Sequence, residues 1–325
     1  MAPYFLSCDW GTSNFRLRLV ETASVVVQAE LRTGDGIDRL DGTGAERFSA
    51  YLALRIEELL RGNEVGREVE ATATPLWISG MASSTIGWKE IPYATLPFPL
   101  DGSGARVADL GPLDGSHPHP VHLVSGLRSD DDVLRGEETE ALGLLSLLRG
   151  KETIDVDGET LLILPGTHSK HLNARGGQIT AFRTFMTGEL YQLLCRHSIL
   201  RHSVEEIETL EGIEDAFLEG VRSTAARGMP AGLFRTRTRQ VLDKKPTEEN
   251  GAYLSGVLLA AELTSVDRSP GRLLVGARGL MATMYLLAAK ELGIERLEAA
   301  SAEQLELSVP AGHALIQSAR EEHSV

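Results

Sequence analysis

FLSCDWGTSNFRLRLVETASVVVQAEL, residues 5–31, reads as a hydrophobic strand, a Gly-Thr turn carrying hydroxyls, a returning strand, a short break and a third strand. The same arrangement returns as LLILPGTHSKHLNARGGQITAF at residues 161–182. In the first copy Tyr4 to Cys8 form the incoming strand, which delivers Asp9 at its end. Gly11 then lets the backbone turn so that Thr12, Ser13 and Asn14 present amides and hydroxyls. Phe15, Leu17 and Leu19 alternate with Asn14, Arg16 and Arg18, the pattern of a strand with one buried face. In the second copy Leu161 to Leu164 lead into Gly166, Thr167, His168 and Ser169, and Lys170 starts the return. Consecutive N–H groups in such a turn make an anion-binding concavity, and glycine lets a phosphate approach the main chain. A single glycine hairpin more often only turns a chain. Two matched copies, one with a carboxylate and one with a lysine, point to two halves gripping one phosphate chain.

Composition narrows the class. A chain of 325 residues with 42% hydrophobic content makes one large or two medium domains with substantial cores. A formal net charge of −14 excludes nucleic acid and anionic membrane as main partners, since either needs a basic surface. Cys8 and Cys195 are the only cysteines, too few for a disulfide framework or a cysteine zinc site, and read as free thiols. The start MAPYFLSCD lacks a signal-peptide pattern and no apolar run reaches membrane-spanning length, so the expected location is cytoplasmic.

Between and beyond the cassettes the pattern is α/β. Phe48, Leu52, Ile56 and Leu59 give Ala45 to Leu60 a helical stripe, Pro75 to Ile78 reads as a strand, residues 92–120 as mostly loop, and Val121 to Val124 as a short strand. DDDVLRGEETEALGLLSLL, residues 130–148, is expected as one long helix, and a polar stretch from Arg149 to Gly158 as the domain boundary. The division expected is 1–155 and 156–325. Further helices are expected at 188–197, 204–227, 248–263 and 280–292, with a strand at 272–275 and short elements closing the chain. The RTRTRQ run around Arg237 reads as a charged connection.

The helix after Val124 carries the catalytic candidates. At about 100° per residue, Leu134, Ala141, Leu145 and Leu148 make one stripe, with Glu137 and Glu138 flanking it closely and Glu140 pointing away. Two carboxylates beside a buried face, next to Arg135 and Gly136, suit a general base or a carboxylate that positions hydrated Mg2+ near Asp9. The alternative is a helix start enriched in acids because the macrodipole favours them, with Arg135 as a surface partner.

DWGTSNFRL, SGMASSTIGWKEIPY, DDVLRGEETEALG, LPGTHSKHL and FRTFMTGELYQLL occur in an order that resembles the 2-dehydro-3-deoxygalactonokinases of the actin/hexokinase/Hsp70 superfamily. The resemblance runs from about Tyr4 to His313. It implies two duplicated RNase-H-like domains with a nucleotide and substrate cleft between them, using ATP and Mg2+. The implied reaction is phosphorylation of the 6-hydroxyl of 2-dehydro-3-deoxy-D-galactonate, in galactonate catabolism. By resemblance Gly11, Thr12, Ser13, Asn14 and Arg16 hold phosphate from the first hairpin, with Asp9 bearing on the metal through water. Gly166, Thr167, His168, Ser169 and Lys170 hold it from the second. VGARGL then forms the adenosine-side turn through Gly276 and Gly279, with Ala277 where a second adjacent glycine is usual. The base is Glu138 or Glu137, because RGEET resembles the Gly-Glu-Glu helix start of related exopolyphosphatases.

A sugar acid needs a carboxylate clamp and hydroxyl readers. Met81 and Trp88 in SGMASSTIGWK, Arg135, and Arg183, Thr187 and Glu189 in FRTFMTGE are the candidates. Arg183 is first choice for the carboxylate, since a planar guanidinium binds both oxygens; the alternative leaves it solvated, with Thr187 capping a helix. His117, His119 and His122 lack further metal-ligating partners and read as a solvated loop. Two readings compete with the galactonate kinase: a kinase for another 2-keto-3-deoxy sugar acid such as the gluconate epimer, and a polyphosphate or nucleotide phosphohydrolase of the same superfamily. An actin-like switch would need long insertions, while Rossmann and P-loop fingerprints are absent. Oligomeric state is open, and a homo-oligomer is admitted.

Overall fold

The computed structural model describes residues 2–40, 44–61, 65–66, 69, 72–113, 118–151 and 158–322. Among them run β1 (Tyr4–Trp10), β2 (Phe15–Glu21), β3 (Val27–Thr33), α1 (Glu46–Leu60), β4 (Leu76–Gly80), β5 (Ala94–Thr95), β6 (Phe98–Pro99), β7 (Val107–Pro112), β8 (Pro120–Val124), β9 (Leu127–Arg128), β10 (Val133–Leu134) and α2 (Glu137–Lys151). The chain continues through β11 (Thr160–Leu164), β12 (Ser169–Arg175), β13 (Gln178–Phe185), α3 (Thr187–His197), α4 (Glu214–Arg227), α5 (Met229–Val241), α6 (Thr247–Leu263), β14 (Arg272–Val275), α7 (Gly279–Glu291), β15 (Leu297–Ala299) and α8 (Ala302–Glu322).

The doubled cassette is a doubled sheet. One sheet has the order β3-β2-β1-β4-β8-β7, and the other contains β13-β12-β11-β14-β15. In each, the first strand pairs antiparallel with its hairpin partner (β1 with β2, β11 with β12) and parallel with a strand reached by a crossover (β4, β14). A further parallel strand follows, β8 in one sheet and β15 in the other. This is the duplicated RNase-H-like α/β fold.

The chain divides into two compact units, Met1–Val156 with Gly177–Ala181 and Glu303–Val325, and Asp157–Gly176 with Phe182–Ala302. The expected cut between 155 and 156 lies outside the described residues. Two later segments belong with the first unit for visible reasons. Gln178 and Ile179 pair with Pro99 and Phe98 of β6, and α8 bonds β1 and β4 through His313 and Gln317.

Strand periodicity decides which groups face the core and which the opposite side of each sheet. In unit 1, Leu6, Cys8 and Trp10 of β1 pack with Phe48, Leu52, Ile56 and Leu59 of α1, so Ser7 and Asp9 point to the opposite face. In unit 2, Leu161 and Ile163 pack with Phe217 and Val221 of α4 and Leu259 and Leu263 of α6. Helix α6 is buried along most of its length, as expected for a helix apolar on every side.

Several expected elements change. Asp9 lies inside β1, which extends to Trp10. The long helix begins at Glu137, because β10 precedes it and Gly136 has φ of 104°, a conformation that breaks helix and favours glycine. The 92–120 stretch contains β5, β6 and β7. The helix expected over 204–227 starts at Glu214. RTRTRQ is part of α5, where Arg239 is buried against Glu219 and Asn250 and over the Tyr253 ring. The chain closes on the 21-residue helix α8. His119 is buried against the Thr74 carbonyl and His122 sits in β8 beside Asp109, so neither is in a solvated loop; His117 lies outside the described residues.

Candidate active site

In unit 1, Glu137 at the start of α2 acts through its charge on Asp9 near the end of β1 and on its neighbour Glu138. Parallel pairing sets Asp9 beside Ser79 and Trp10 beside Gly80, while antiparallel pairing sets Arg16 opposite Asp9. Asp9 has its carboxyl raised by burial, opposed by the charges of Arg16 and Arg18, and raised again by Glu137. Glu138 is buried. Its Oε2 accepts from the Gly136 N–H at 2.7 Å and its Oε1 from the Thr139 hydroxyl at 2.9 Å. Burial, then the charge of Glu137, push its carboxyl up to about 7. A carboxylate near neutrality is suited to taking a proton from a hydroxyl. Glu137 accepts from the Arg135 N–H, so the two glutamates are held by the two peptide groups that start the helix.

The neighbouring Arg135 is committed to structure. Its guanidinium donates to the Ser83 carbonyl and hydroxyl at 2.6 and 2.8 Å and lies over the Tyr93 ring. Trp88 stacks on Phe48 with an interplanar angle of 7°, and Met81 packs against the same core. The first hairpin is open: Thr12, Ser13 and Asn14 are exposed. Gly11 N–H donates to the Asn14 carbonyl, and the following turn braces Gly11 and Thr12 through Ile37 and Asp38.

Unit 2 holds a cavity of about 360 Å3 bounded by Gly166 of the second hairpin, Thr187 and Tyr191 of α3, Leu258 of α6 and Arg278, Met284 and Tyr285 around α7. That size suits a small ligand. Gly276 N–H bonds the Ile163 carbonyl, which ties the VGARGL turn to the strand that leads into the hairpin, and Gly279 opens α7 with a φ of 54°. Gly166, Thr167 and His168 are exposed in the hairpin. Glu189 anchors it, its N–H on the Thr167 carbonyl and its carboxylate on His168. Lys170 folds its ammonium back onto the His168 carbonyl at 2.9 Å. Ser169 does not face the turn. It is buried and donates to Glu262.

Glu262 is the group that sequence reading missed. Its Oε1 accepts from Ser169, His171 and Tyr285, each at 2.8 Å, and its Oε2 accepts from Thr187. The Thr187 hydroxyl is therefore committed to Glu262, and no side-chain bond caps α3. The available signal was a single acid near the end of LSGVLLAAEL, the largely apolar later part of α6. Gly188 was also missed: a Cβ there would lie 2.4 Å from the Gly166 carbonyl. Arg183 is exposed on β13. Among the described residues no group of three or more His, Cys, Asp and Glu side chains is placed to hold a metal ion. No helix among them is long and apolar enough to cross a membrane.

A 2-keto-3-deoxy-galactonokinase sequence profile matches residues 9–308. The chain belongs to this family. A Rhizobium meliloti (strain 1021) protein assigned as a 2-dehydro-3-deoxygalactonokinase is 32% identical over 303 residues, covering 90% of this chain and 91% of that one. The 2-dehydro-3-deoxygalactonokinase of Escherichia coli (strain K12) is 31% identical, covering 82% and 81%. A crystal structure assigned to the same kinase, from Sinorhizobium meliloti, superposes with a TM-score of 0.79 at 30% identity, over 98% of this chain and 96% of that chain. The Clostridium difficile activator of 2-hydroxyisocaproyl-CoA dehydratase, solved with ADPNP, has a TM-score of 0.50 at 12% identity over 99% and 97%, a likeness of fold alone. Within the kinase family profile lie both hairpins, the glutamate helix and Glu262.

Proposed function

We propose that the protein is an ATP-dependent kinase that phosphorylates 2-dehydro-3-deoxy-D-galactonate at its 6-hydroxyl. Family membership supplies the substrate class. The observation that carries the chemistry is Glu138, a buried carboxylate at the head of α2 with its proton affinity near neutrality and a fixed orientation. Glu138 takes the proton of the attacking 6-hydroxyl as its oxygen bonds the γ-phosphorus of ATP and the bond from that phosphorus to the departing ADP breaks. Phosphoryl transfer otherwise depends on positioning and charge neutralisation. Asp9 is the residue suited to hold Mg2+ through water. The fit is chemical: Mg2+ takes one or two carboxylates and keeps several waters, and Asp9 sits where burial and Glu137 disfavour an uncompensated charge. When bound, the cation neutralises charge on the transferring group.

In unit 2 the second hairpin and Lys170 hold the phosphate chain, and the cavity beside Gly276 and Gly279 takes the adenosine. Arg16 supports the phosphates from β2. Arg183 is the proposed clamp for the sugar-acid carboxylate, and Arg135 and Glu189 act by holding Ser83 and His168 in place. ADP release measured over a panel of C6 sugar acids tests the reading. Release stimulated by 2-dehydro-3-deoxy-D-galactonate is expected; preference for the gluconate epimer would change the substrate, and phosphate release without any acceptor would overturn the kinase assignment.

A further inference from the structure

A hydrogen-bond chain of side chains crosses the interior of unit 1 and ends on Glu138. Ser7 Oγ lies 2.8 Å from His313 Nδ1, His313 Nε2 lies 2.8 Å from Ser79 Oγ, Ser79 Oγ lies 2.7 Å from Thr139 Oγ1, and Thr139 Oγ1 lies 2.9 Å from Glu138 Oε1. All five side chains are at most 1% exposed. The fold gathers them from β1, β4, α2 and α8. A close approach makes this possible: a Cβ on Gly312 would lie 2.0 Å from the Thr139 carbonyl, so α2 and α8 meet backbone to backbone beside the chain.

Donor arithmetic fixes the direction of every bond. An ionised carboxylate only accepts, so Thr139 must donate its one hydroxyl proton to Glu138. Ser79 must then donate to Thr139, and His313 must donate to Ser79 from Nε2. Nδ1 is left as the acceptor for Ser7. His313 is a neutral imidazole, since burial, then Arg18, lower it to about 3. The charged groups around the chain are Glu137 on α2, Asp9 on β1, and Arg16 and Arg18 on β2. Arg18 is held by Glu30 of β3 and Glu306 of α8.

We propose that His313, with Ser79 and Thr139, is a positioning residue for the phosphoryl-transfer reaction: its Nε2–H tautomer polarises a three-bond chain that holds Glu138 in one orientation as an acceptor ready to take the substrate proton. This rests on the reading of Glu138 as the base. A purely architectural network would serve as well with apolar residues, because replacing buried polar groups by packed hydrophobes is often neutral. A chain that ends on the base has a directional task, because linked hydrogen bonds strengthen one another in a low-dielectric interior.

Spectroscopy gives the first arm of the test. Histidine 15N shifts of the full-length protein, with the His313 signals identified by their loss in His313→Gln, should show a protonated Nε2 and an unprotonated Nδ1. The opposite tautomer reverses the chain, leaves Thr139 no proton for Glu138, and overturns the proposal. Kinetics give the second arm. His313→Phe and Thr139→Val should lower kcat about tenfold or more with KM for ATP unchanged, and move the rising limb of kcat/KM to higher pH by about one unit, as loss of a donor to a charged group requires. His313→Gln keeps a donor toward Ser79 and should recover most of kcat. Wild-type kcat and pH profile in folded His313→Phe and Thr139→Val, alongside an inactive Glu138→Gln, would sink the relay alone. An active Glu138→Gln would instead remove the base assignment on which it rests.

Discussion

Glu138 and Glu262 are both sealed from solvent, one in each compact unit, and their surroundings hold them in different states. Glu138 accepts from the Gly136 N–H and the Thr139 hydroxyl and has a second carboxylate, Glu137, nearby. Burial, and after it Glu137, raise it to about 7. Burial also pushes Glu262 up, but the bonds and charge of His171, with Thr187 and Ser169, outweigh it and leave the carboxyl below its ordinary value. Tyr285 adds a fourth donor, its phenol pushed up by burial and by the Glu262 charge so that it stays protonated. Depth of burial therefore does not decide what a buried acid does. The number and charge of its donors decide it. One site is set to exchange a proton near neutrality, the other to remain an anion that braces the second hairpin, α3 and α7.

The largest effect expected from this contrast is on turnover. Glu138→Gln should lower kcat by about 10² to 10⁴-fold, the usual range for loss of a general base, while KM for ATP stays within about twofold. Turnover near wild type would break the contrast and pass the base role to Glu137. Glu262→Leu should instead unfold more readily, by about 3 kcal/mol in urea titration, because its buried donors lose their partner, and ATP should bind more weakly. Unchanged urea stability would make Glu262 a spectator.

The pH dependence of folding sharpens the same contrast. A carboxyl raised in the folded state binds its proton more tightly there, so the contribution of Glu138 is fully present below its ordinary value of 4.5 and is lost as pH rises through about 7. Wild type should lose Tm relative to Glu138→Gln across that window, and a constant difference would contradict the raised carboxyl. Glu262 has the opposite sign: its contribution is present above the ordinary value and lost as pH falls through the lowered one. The smallest effect is expected from Gly188→Ala. The added Cβ presses on the Gly166 carbonyl and should raise KM for ATP by about fivefold, near 1 kcal/mol, with kcat unchanged.

Much of the fold was legible because it is written in local patterns. Alternation marked β2, the 48, 52, 56, 59 stripe marked α1, and the two Gly-Thr hairpins announced the duplicated sheet. Local pattern also misled. Leu134 continues the apolar stripe of α2, so periodicity alone carries the helix back over β10, and RTRTRQ reads as a charged connection because the partners of Arg239 lie on α4 and α6. In the candidate site, RGEET exposed Glu137 and Glu138, and PGTHSK exposed the second hairpin. His313 and Glu262 stayed hidden: each sits in a mostly apolar stretch of its helix, and its partners lie far off in the chain.

The sequence by itself determined the duplication, the two Gly-Thr hairpins and the family, because turns, periodicity and motif order act over a few residues. Only the tertiary structure decided which buried carboxyl is raised toward neutrality and which is held as an anion. Proton affinity depends on donors and charges within a few ångströms, and folding brings these together from positions as far apart as Ser7 and His313.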